Sequence, residues 1–119
     1  MKLYIAVLDE CPDYMVPTVV AHAVLGAHVH FNCLYDDLEG MFDENPFKPY
    51  KDWFKSSFRK SVVRVNQREF NRIAALPDCY LGFESTVLDG KMCCAIPLPC
   101  SKEDRPNVLR YAQHWKPKA

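Results

Sequence analysis

Residues 60–76 read KSVVRVNQREFNRIAAL, and their pattern indicates the fold class. Its first part, residues 60–65, is rich in β-branched side chains and predicts a strand. Asn66 follows at once, with Glu69 three residues later, and this N-x-x-E form of a capping box predicts the start of a helix. The helix is expected to end at Pro77. A strand followed directly by a capped helix is a building unit of α/β folds.

A further strand and helix are predicted upstream of this unit. Residues 2–8, KLYIAVL, form a short apolar run that predicts a buried strand. An acidic, proline-containing loop follows, and Pro17 suits the first position of a helix from residue 18 to about residue 27. The amino-terminal part therefore repeats the strand-then-helix order.

The downstream part predicts two strands and a last helix. Residues 79–83 and 92–98 are apolar runs, and the turn residues at 88–91 lie between them. Pro106 stands at or near the first position of a helix expected over residues 104–115. The order β-α-β-α-β-β-α predicts an α/β sheet with helices on both faces.

Length and composition favour one ordinary domain over residues 1–119. Apolar residues make up 49% of the chain and charged residues 25%, which argues against disorder. The formal net charge is zero, so the chain as a whole does not attract nucleic acid or membranes. No apolar run is long enough to cross a bilayer, and the first apolar stretch lacks the features of a signal peptide. We therefore expect a cytoplasmic location.

The six cysteines are predicted to be free thiols. No C-x-x-C pair occurs, so a zinc ribbon is not supported. Several of the cysteines lie inside apolar, strand-like runs, where free cysteine behaves as a small hydrophobic residue.

Residues 32–52 change the character of the sequence. Five acidic residues cluster within residues 36–44, and Pro46 and Pro49 discourage regular structure. Aromatic residues are interleaved with the acidic ones. The pattern predicts an insertion loop, which is either a surface excursion pinned by its aromatic side chains or a lid or binding loop.

Three of the four histidines lie in residues 19–31, VVAHAVLGAHVHF. Along a helix, His22 and His28 are separated by roughly 120°, which is wrong for two ligands of one metal ion. His28 and His30 share a face only if Gly26 loosens the helix and the chain becomes extended. We therefore predict no metal and no cofactor.

His22 is the candidate for acid–base chemistry. It follows the carboxyl end of the first strand, where open α/β sheets bind their ligands, and a neutral histidine can transfer protons near pH 7. The alternative is a histidine that a neighbouring backbone carbonyl satisfies.

Basic residues between 51 and 72 are interleaved with aromatic ones, a combination that suits phosphates and unstacked bases. We expect Lys55, Lys60 and Arg64 to contact phosphates and Trp53 to contribute to ligand binding. The alternative is a solvated helix and strand edge.

Three short strings carry a resemblance to a known family. HAVLGA at 22–27 matches an H-A-x-x-x-A helix motif after a first strand, and Trp53 precedes a K-x-V-V strand at 60–65. CAIPLP at 94–99 matches an apolar strand that ends in a glycine- or proline-bearing string. Over nearly its whole length, the chain resembles the type 2 peptidyl-tRNA hydrolases.

The resemblance implies a mixed four-stranded sheet and a cleft for the CCA end of peptidyl-tRNA. Glu84 stands where the family carries an aspartate, and Thr86 matches a threonine of the family. The family's glycine–lysine pair and glutamine are replaced by Tyr14-Met15 and Val19. The replaced polar groups indicate a changed RNA or nucleotide ligand.

Three functions remain open from the sequence. The first is a hydrolase of a peptidyl-tRNA-like ester or a cyclic-oligonucleotide phosphoester, with His22 and Glu84 as the acid–base pair and His28 and Thr86 in support. The second is a sponge-type protein that binds a nucleotide without cleaving it, phage-encoded by analogy of fold and size and acting in the host cytoplasm. The third is a protein-interaction domain that uses the 32–52 loop. A homodimer is also left open.

Overall fold

The structure of the protein, a computed structural model, describes residues 1–118. Its strands are β1 (Lys2–Leu8), β2 (Arg59–Val65), β3 (Tyr80–Gly82), β4 (Cys94–Ile96) and β5 (Gln113–His114). Its helices are α1 (Val16–Leu38), α2 (Lys48–Lys55), α3 (Gln67–Ala74) and α4 (Asn107–Arg110), and short 3₁₀ turns cover Asp13–Met15 and Leu88–Gly90.

The strands form one mixed sheet in the order β3-β4-β1-β2-β5. β1 pairs with β2 in parallel over its full length, from Lys2 opposite Arg59 to Leu8 opposite Val65. β4 is antiparallel to β1, and β3 is antiparallel to β4. β1, β2 and β3 therefore run in the same direction and end at one edge of the sheet, which we call the carboxyl edge.

Helices cover both faces of the sheet. Every side chain of β1 from Leu3 to Leu8 is at most 6% exposed. Because successive side chains of a strand point to opposite faces, this burial requires cover on both sides. α1 packs on β1, β3 and β4, and α3 packs on β1, β2 and β4. The predicted α/β fold class is therefore confirmed.

The capping box that opens α3 is present as predicted. The Asn66 side-chain oxygen accepts a hydrogen bond from the backbone N–H of Glu69 at 2.8 Å. In return, Glu69 Oε1 accepts from the backbone N–H of Asn66 at 2.9 Å. Two N–H groups that the helix itself cannot satisfy are paired in this way.

α1 is longer than the sequence predicted. It spans Val16–Leu38 instead of 18–27, and it passes through Gly26 without a break. Its buried face continues to Phe31, and Leu38 is partly buried against the core. Packing of this face stabilises the extra turns, which local sequence alone did not indicate.

The predicted loop at 32–52 is consequently wrong in its extent. Its first part is the end of α1 and its last part belongs to α2, so that only residues 39–47 connect the two helices. Pro49 lies in the first turn of α2, where a helix tolerates proline because the backbone N–H that proline lacks would have no acceptor within the helix. Lys48 and Asp52, one turn apart, pair at 2.7 Å.

The predicted helix at 104–115 is also wrong for most of its length. α4 is a single turn after Pro106, and the chain then forms β5 antiparallel to β2. The backbone N–H of Trp115 donates to the carbonyl of Val62 at 2.9 Å. Without β5, the outer edge of β2 would carry unpaired backbone N–H and C=O groups. Because the last segment forms hydrogen bonds with these groups, the sheet has five strands where four were predicted.

Candidate active site

The carboxyl edge brings the start of α1 against the end of β3. Gly82, the last residue of β3, has no side chain, and a Cβ there would lie 3.2 Å from the Cβ of Ala23. The missing side chain thus lets α1 approach the strand closely. His22 is the neighbour of Ala23, and Glu84 follows Gly82 by two residues, so this contact sets the two polar side chains side by side.

His22 and Glu84 form a hydrogen-bonded pair. His22 Nδ1 lies 2.7 Å from Glu84 Oε2, and the two side chains are 58% and 12% exposed. The other carboxylate oxygen, Oε1, accepts from the Thr86 hydroxyl at 3.1 Å and from the Thr86 backbone N–H at 3.4 Å. The carboxylate is therefore held on two sides, while the imidazole faces solvent.

This arrangement orients a histidine for proton transfer. Donation from Nδ1 to the carboxylate leaves the lone pair of the neutral ring on Nε2, the nitrogen that is free to act as a base. A carboxylate behind a histidine fixes its tautomer and stabilises the imidazolium that forms when the base takes a proton. His22, Glu84 and Thr86 are thus the predicted site residues that the fold brings together.

Two cysteines near the carboxyl edge, Cys11 after β1 and Cys93 before β4, are unsuited to nucleophilic chemistry. Cys11 and Cys93 are fully buried. Burial raises the pKa of the Cys11 thiol to about 11, and burial also raises the pKa of Cys93 despite a hydrogen bond from the backbone of Glu84. Both thiols are therefore protonated near pH 7, and the thiolate is the reactive form.

A second group of predicted residues lines an apolar cleft between α1 and α2. The cleft encloses about 220 Å³. We call it the aromatic cleft, and its walls are formed by Val24, Leu25, His28, Tyr50, Trp53, Phe54, Phe58 and Lys60. Leu25 lies one helical turn beyond His22 on α1, so the cleft begins roughly 5 Å along the helix axis from the His22–Glu84 pair.

The polar side chains of the aromatic cleft form hydrogen bonds and ring contacts with their neighbours. His28 Nδ1 lies 2.8 Å from the Tyr50 hydroxyl, and the imidazole ring lies 4.9 Å from the Phe54 ring. Trp53 is buried and donates from its indole N–H to the carbonyl of Arg59 at 2.7 Å. These hydrogen bonds fix the walls of the cleft, so that His28 and Trp53 hold its shape.

Lys60 and two exposed rings form the open side of the cleft. The Lys60 ammonium lies 3.3 Å from the centre of the Phe58 ring, a cation–π contact. Phe54 and Phe58 are 46% and 48% exposed. The cleft therefore offers solvent two aromatic faces next to a positive charge.

Two predicted phosphate ligands lie elsewhere. Arg64 pairs with Asp13 at 3.1 Å, and its guanidinium lies 5.2 Å from the Trp115 ring centre. Lys55 is exposed at the end of α2. Neither residue lines the aromatic cleft. The basic cluster predicted from sequence is thus divided among separate surfaces.

Sequence reasoning missed Leu25 and Tyr50 as walls of the aromatic cleft. A signal was present, because Tyr50, Trp53 and Phe54 are spaced three and four residues apart, as on one side of a helix. Pro46 and Pro49 instead predicted a loop in this part of the chain.

In residues 1–118, no three His, Cys, Asp or Glu side chains are grouped so that they could hold a metal ion. His22 and Glu84 line none of the five clefts that stand out over the same residues; the imidazole is exposed at the surface, whereas the Glu84 side chain is largely buried. No helix within this described part is long and apolar enough to cross a membrane.

No protein-family model matches the chain, and no curated protein shows significant similarity to it.

Proposed function

We propose that the protein is a hydrolase that cleaves an ester or phosphoester of an RNA or nucleotide ligand. The observation that carries the proposal is the 2.7 Å pair between His22 Nδ1 and Glu84 Oε2, with the imidazole open to solvent at the carboxyl edge. That edge is where open α/β sheets bind ligands. The proposal also agrees with the resemblance to type 2 peptidyl-tRNA hydrolases.

In the proposed reaction, His22 is the general base. Its Nε2 takes a proton from water, and the resulting hydroxide attacks the carbonyl carbon or the phosphorus of the ligand. The imidazolium, stabilised by Glu84, then returns the proton to the leaving oxygen, so protons balance over the cycle. Thr86 holds the free oxygen of the carboxylate, which keeps the pair aligned.

The aromatic cleft gives the ligand a second point of contact. A base can stack on the exposed rings of Phe54 and Phe58, and the Lys60 ammonium can meet a phosphate. Because Leu25 is one turn from His22 on α1, one extended ligand can reach both the cleft and the pair. The open surface at His22 suits a large ligand, such as the end of an RNA chain.

The test is incubation of the pure protein with peptidyl-tRNA and with cyclic dinucleotides, with and without a divalent metal. Cleavage that His22→Asn abolishes is the expected result. The matched control is His30→Asn, which also removes a histidine from α1 but leaves the pair intact. If neither ligand is cleaved under any condition, the hydrolase proposal fails.

A second candidate, favoured by the aromatic cleft, is a protein that binds a nucleotide and leaves it intact. Two half-exposed rings beside a lysine suit stacking and charge recognition without any chemical step. Calorimetry at one-to-one stoichiometry, followed by recovery of the ligand, separates the candidates. Intact ligand after tight binding supports this second function, and cleaved ligand excludes it.

A further inference from the structure

A basic cleft lies at the edge of the sheet opposite the His22–Glu84 pair. It encloses about 300 Å³. Its charged side chains are four cations, Lys2, Arg59, Lys102 and Arg105, and Tyr4 also lines it. Because β1 is seven residues long, it places roughly 20 Å between this cleft and the carboxyl edge. The cleft is therefore a separate site, and we call it the amino-edge cleft.

The sheet itself assembles these cations. Lys2 and Arg59 are direct partners at the start of the parallel strands β1 and β2, so their side chains leave the sheet on the same face. Cys100 exchanges two backbone hydrogen bonds with Lys2, at 3.0 and 3.2 Å. The turn that follows Cys100 carries Lys102 and Arg105 back toward the first strand. The four residues come from three segments that are distant in sequence, and the tertiary structure makes them one cluster.

The protein gives these cations few partners. In residues 1–118, none of the four takes part in a salt bridge. Arg105 donates one hydrogen bond, from Nη1 to the Tyr4 hydroxyl at 2.9 Å, and its buried Nε has no hydrogen-bond partner within the described chain. The carboxylate of Asp104 lines a neighbouring cleft and accepts from Ser101 at 3.0 Å. The lining of the amino-edge cleft thus has an excess of positive charge.

We propose that the amino-edge cleft binds a small anion of the oligophosphate type. Arginine presents a planar set of donors that matches phosphate oxygens, and two arginines with two lysines suit a ligand that carries several negative charges. A volume of about 300 Å³ lies at the small end of ligand sites. The only ring in the lining, Tyr4, is buried, so the cleft recognises phosphate and does not stack a base.

Calorimetric titration of the full chain with inorganic pyrophosphate tests the proposal. We expect one binding site, and about a 10-fold or greater weakening in Arg59→Gln and in Lys102→Gln, because each loses a charged donor. Both side chains are exposed, so both variants keep the fold. The matched control is Arg68→Gln, which removes the same charge from an exposed position on α3 and should bind as the wild type does.

Two further measurements distinguish specific recognition of phosphate groups from general attraction of charge and from binding of a base. Arg59→Lys keeps the charge but loses the planar donor set, and it should bind more weakly than the wild type. ADP should bind within a few-fold of pyrophosphate, and adenosine should not bind. Absence of pyrophosphate binding, an equal loss in Arg68→Gln, or a preference for ADP above about 10-fold would each overturn the proposal.

This site does not depend on the proposed hydrolase. His22→Asn should leave pyrophosphate binding unchanged, and Arg59→Gln should leave the 2.7 Å hydrogen bond between His22 and Glu84 intact. The two proposals can therefore fail separately.

Discussion

The hydroxyl of Tyr80 occupies the space that a side chain at Gly26 would fill. A Cβ on Gly26 would lie 2.0 Å from the Tyr80 oxygen and 2.8 Å from its ring carbon Cζ. The Tyr80 ring also lies 5.4 Å from the His30 ring on the next turn of α1. Gly26 thus leaves the space that Tyr80 needs when α1 packs on β3.

Gly26→Ala should therefore destabilise the protein although alanine is the better helix former. Overpacking costs about 1–3 kcal/mol, and the gain in helix propensity returns only about 1 kcal/mol. We expect a net loss of about 1 kcal/mol in the free energy of unfolding, measured with urea. In a Tyr80→Ala background the sign should reverse, because the clash is gone. Stabilisation by Gly26→Ala in the wild-type background would contradict this packing.

Glu84→Gln should reduce hydrolysis strongly while leaving ligand affinity nearly unchanged. The amide keeps the shape of the side chain but cannot stabilise an imidazolium at His22, and acid–base assistance is worth about 10²- to 10⁴-fold in rate. Single-turnover cleavage and equilibrium binding, measured on the same ligand, separate the two effects. Glu69→Gln, on α3, is the control. Full activity of Glu84→Gln would remove Glu84 from the mechanism.

Phe54→Ala and Phe58→Ala should weaken nucleotide binding in the aromatic cleft. Stacking of one base on one aromatic ring is worth about 1–3 kcal/mol, which corresponds to roughly 5- to 150-fold in the dissociation constant. Both rings are half-exposed, so their loss should leave folding intact. Phe42→Ala, an exposed ring in the 39–47 connection, is the matched control in a fluorescence or calorimetric titration. Equal affinity in all three variants would show that the ligand binds elsewhere.

The carboxylate of Asp13 should make the free energy of unfolding decrease as the pH falls into the acid range. The backbone N–H of Lys118 and the guanidinium of Arg64 hydrogen-bond to its carboxylate and hold the pKa of Asp13 below its usual value. The folded state therefore favours the charged form. Its stabilising effect is complete above the pKa of the unfolded chain, about 4, and is lost as the pH falls through the lower folded value.

The variant Asp13→Asn tests this assignment. Wild type should be more stable than the variant at pH 7, and the difference should shrink as the pH falls below about 4. Thermal unfolding over a pH series measures this difference. A difference that stays constant from pH 7 to pH 2 would show that the carboxylate does not carry the effect.

The thiols should differ sharply in reactivity. Cys33 is exposed, whereas burial raises the pKa of Cys11 to about 11 and of Cys79 to about 12. We expect one thiol to react rapidly with a disulfide reagent at pH 8 and the others to react only when the protein unfolds. Cys33→Ser should abolish the rapid phase. A rapid phase that survives in Cys33→Ser would show that a second thiol is accessible.

The elements whose signals are local could be predicted from the amino-acid sequence. β1 and β2 are short, strongly apolar or β-branched runs, and their bounds agree with prediction to within a residue or two. The start of α3 was fixed by Asn66 and Glu69, because a capping box satisfies backbone groups within one turn. The free state of the cysteines also followed from local context.

The length of α1, the conformation of the carboxyl-terminal segment and the residues of both proposed sites depend on contacts between distant segments. α1 extends to Leu38 because its face packs on the core, and the last segment becomes β5 because the edge of β2 offers it hydrogen bonds. His22 was identified from its place after β1, and Glu84 from the family resemblance. Their 2.7 Å separation arises from the close approach of α1 to Gly82. Contacts between distant segments depend on packing and strand order, which no local pattern encodes.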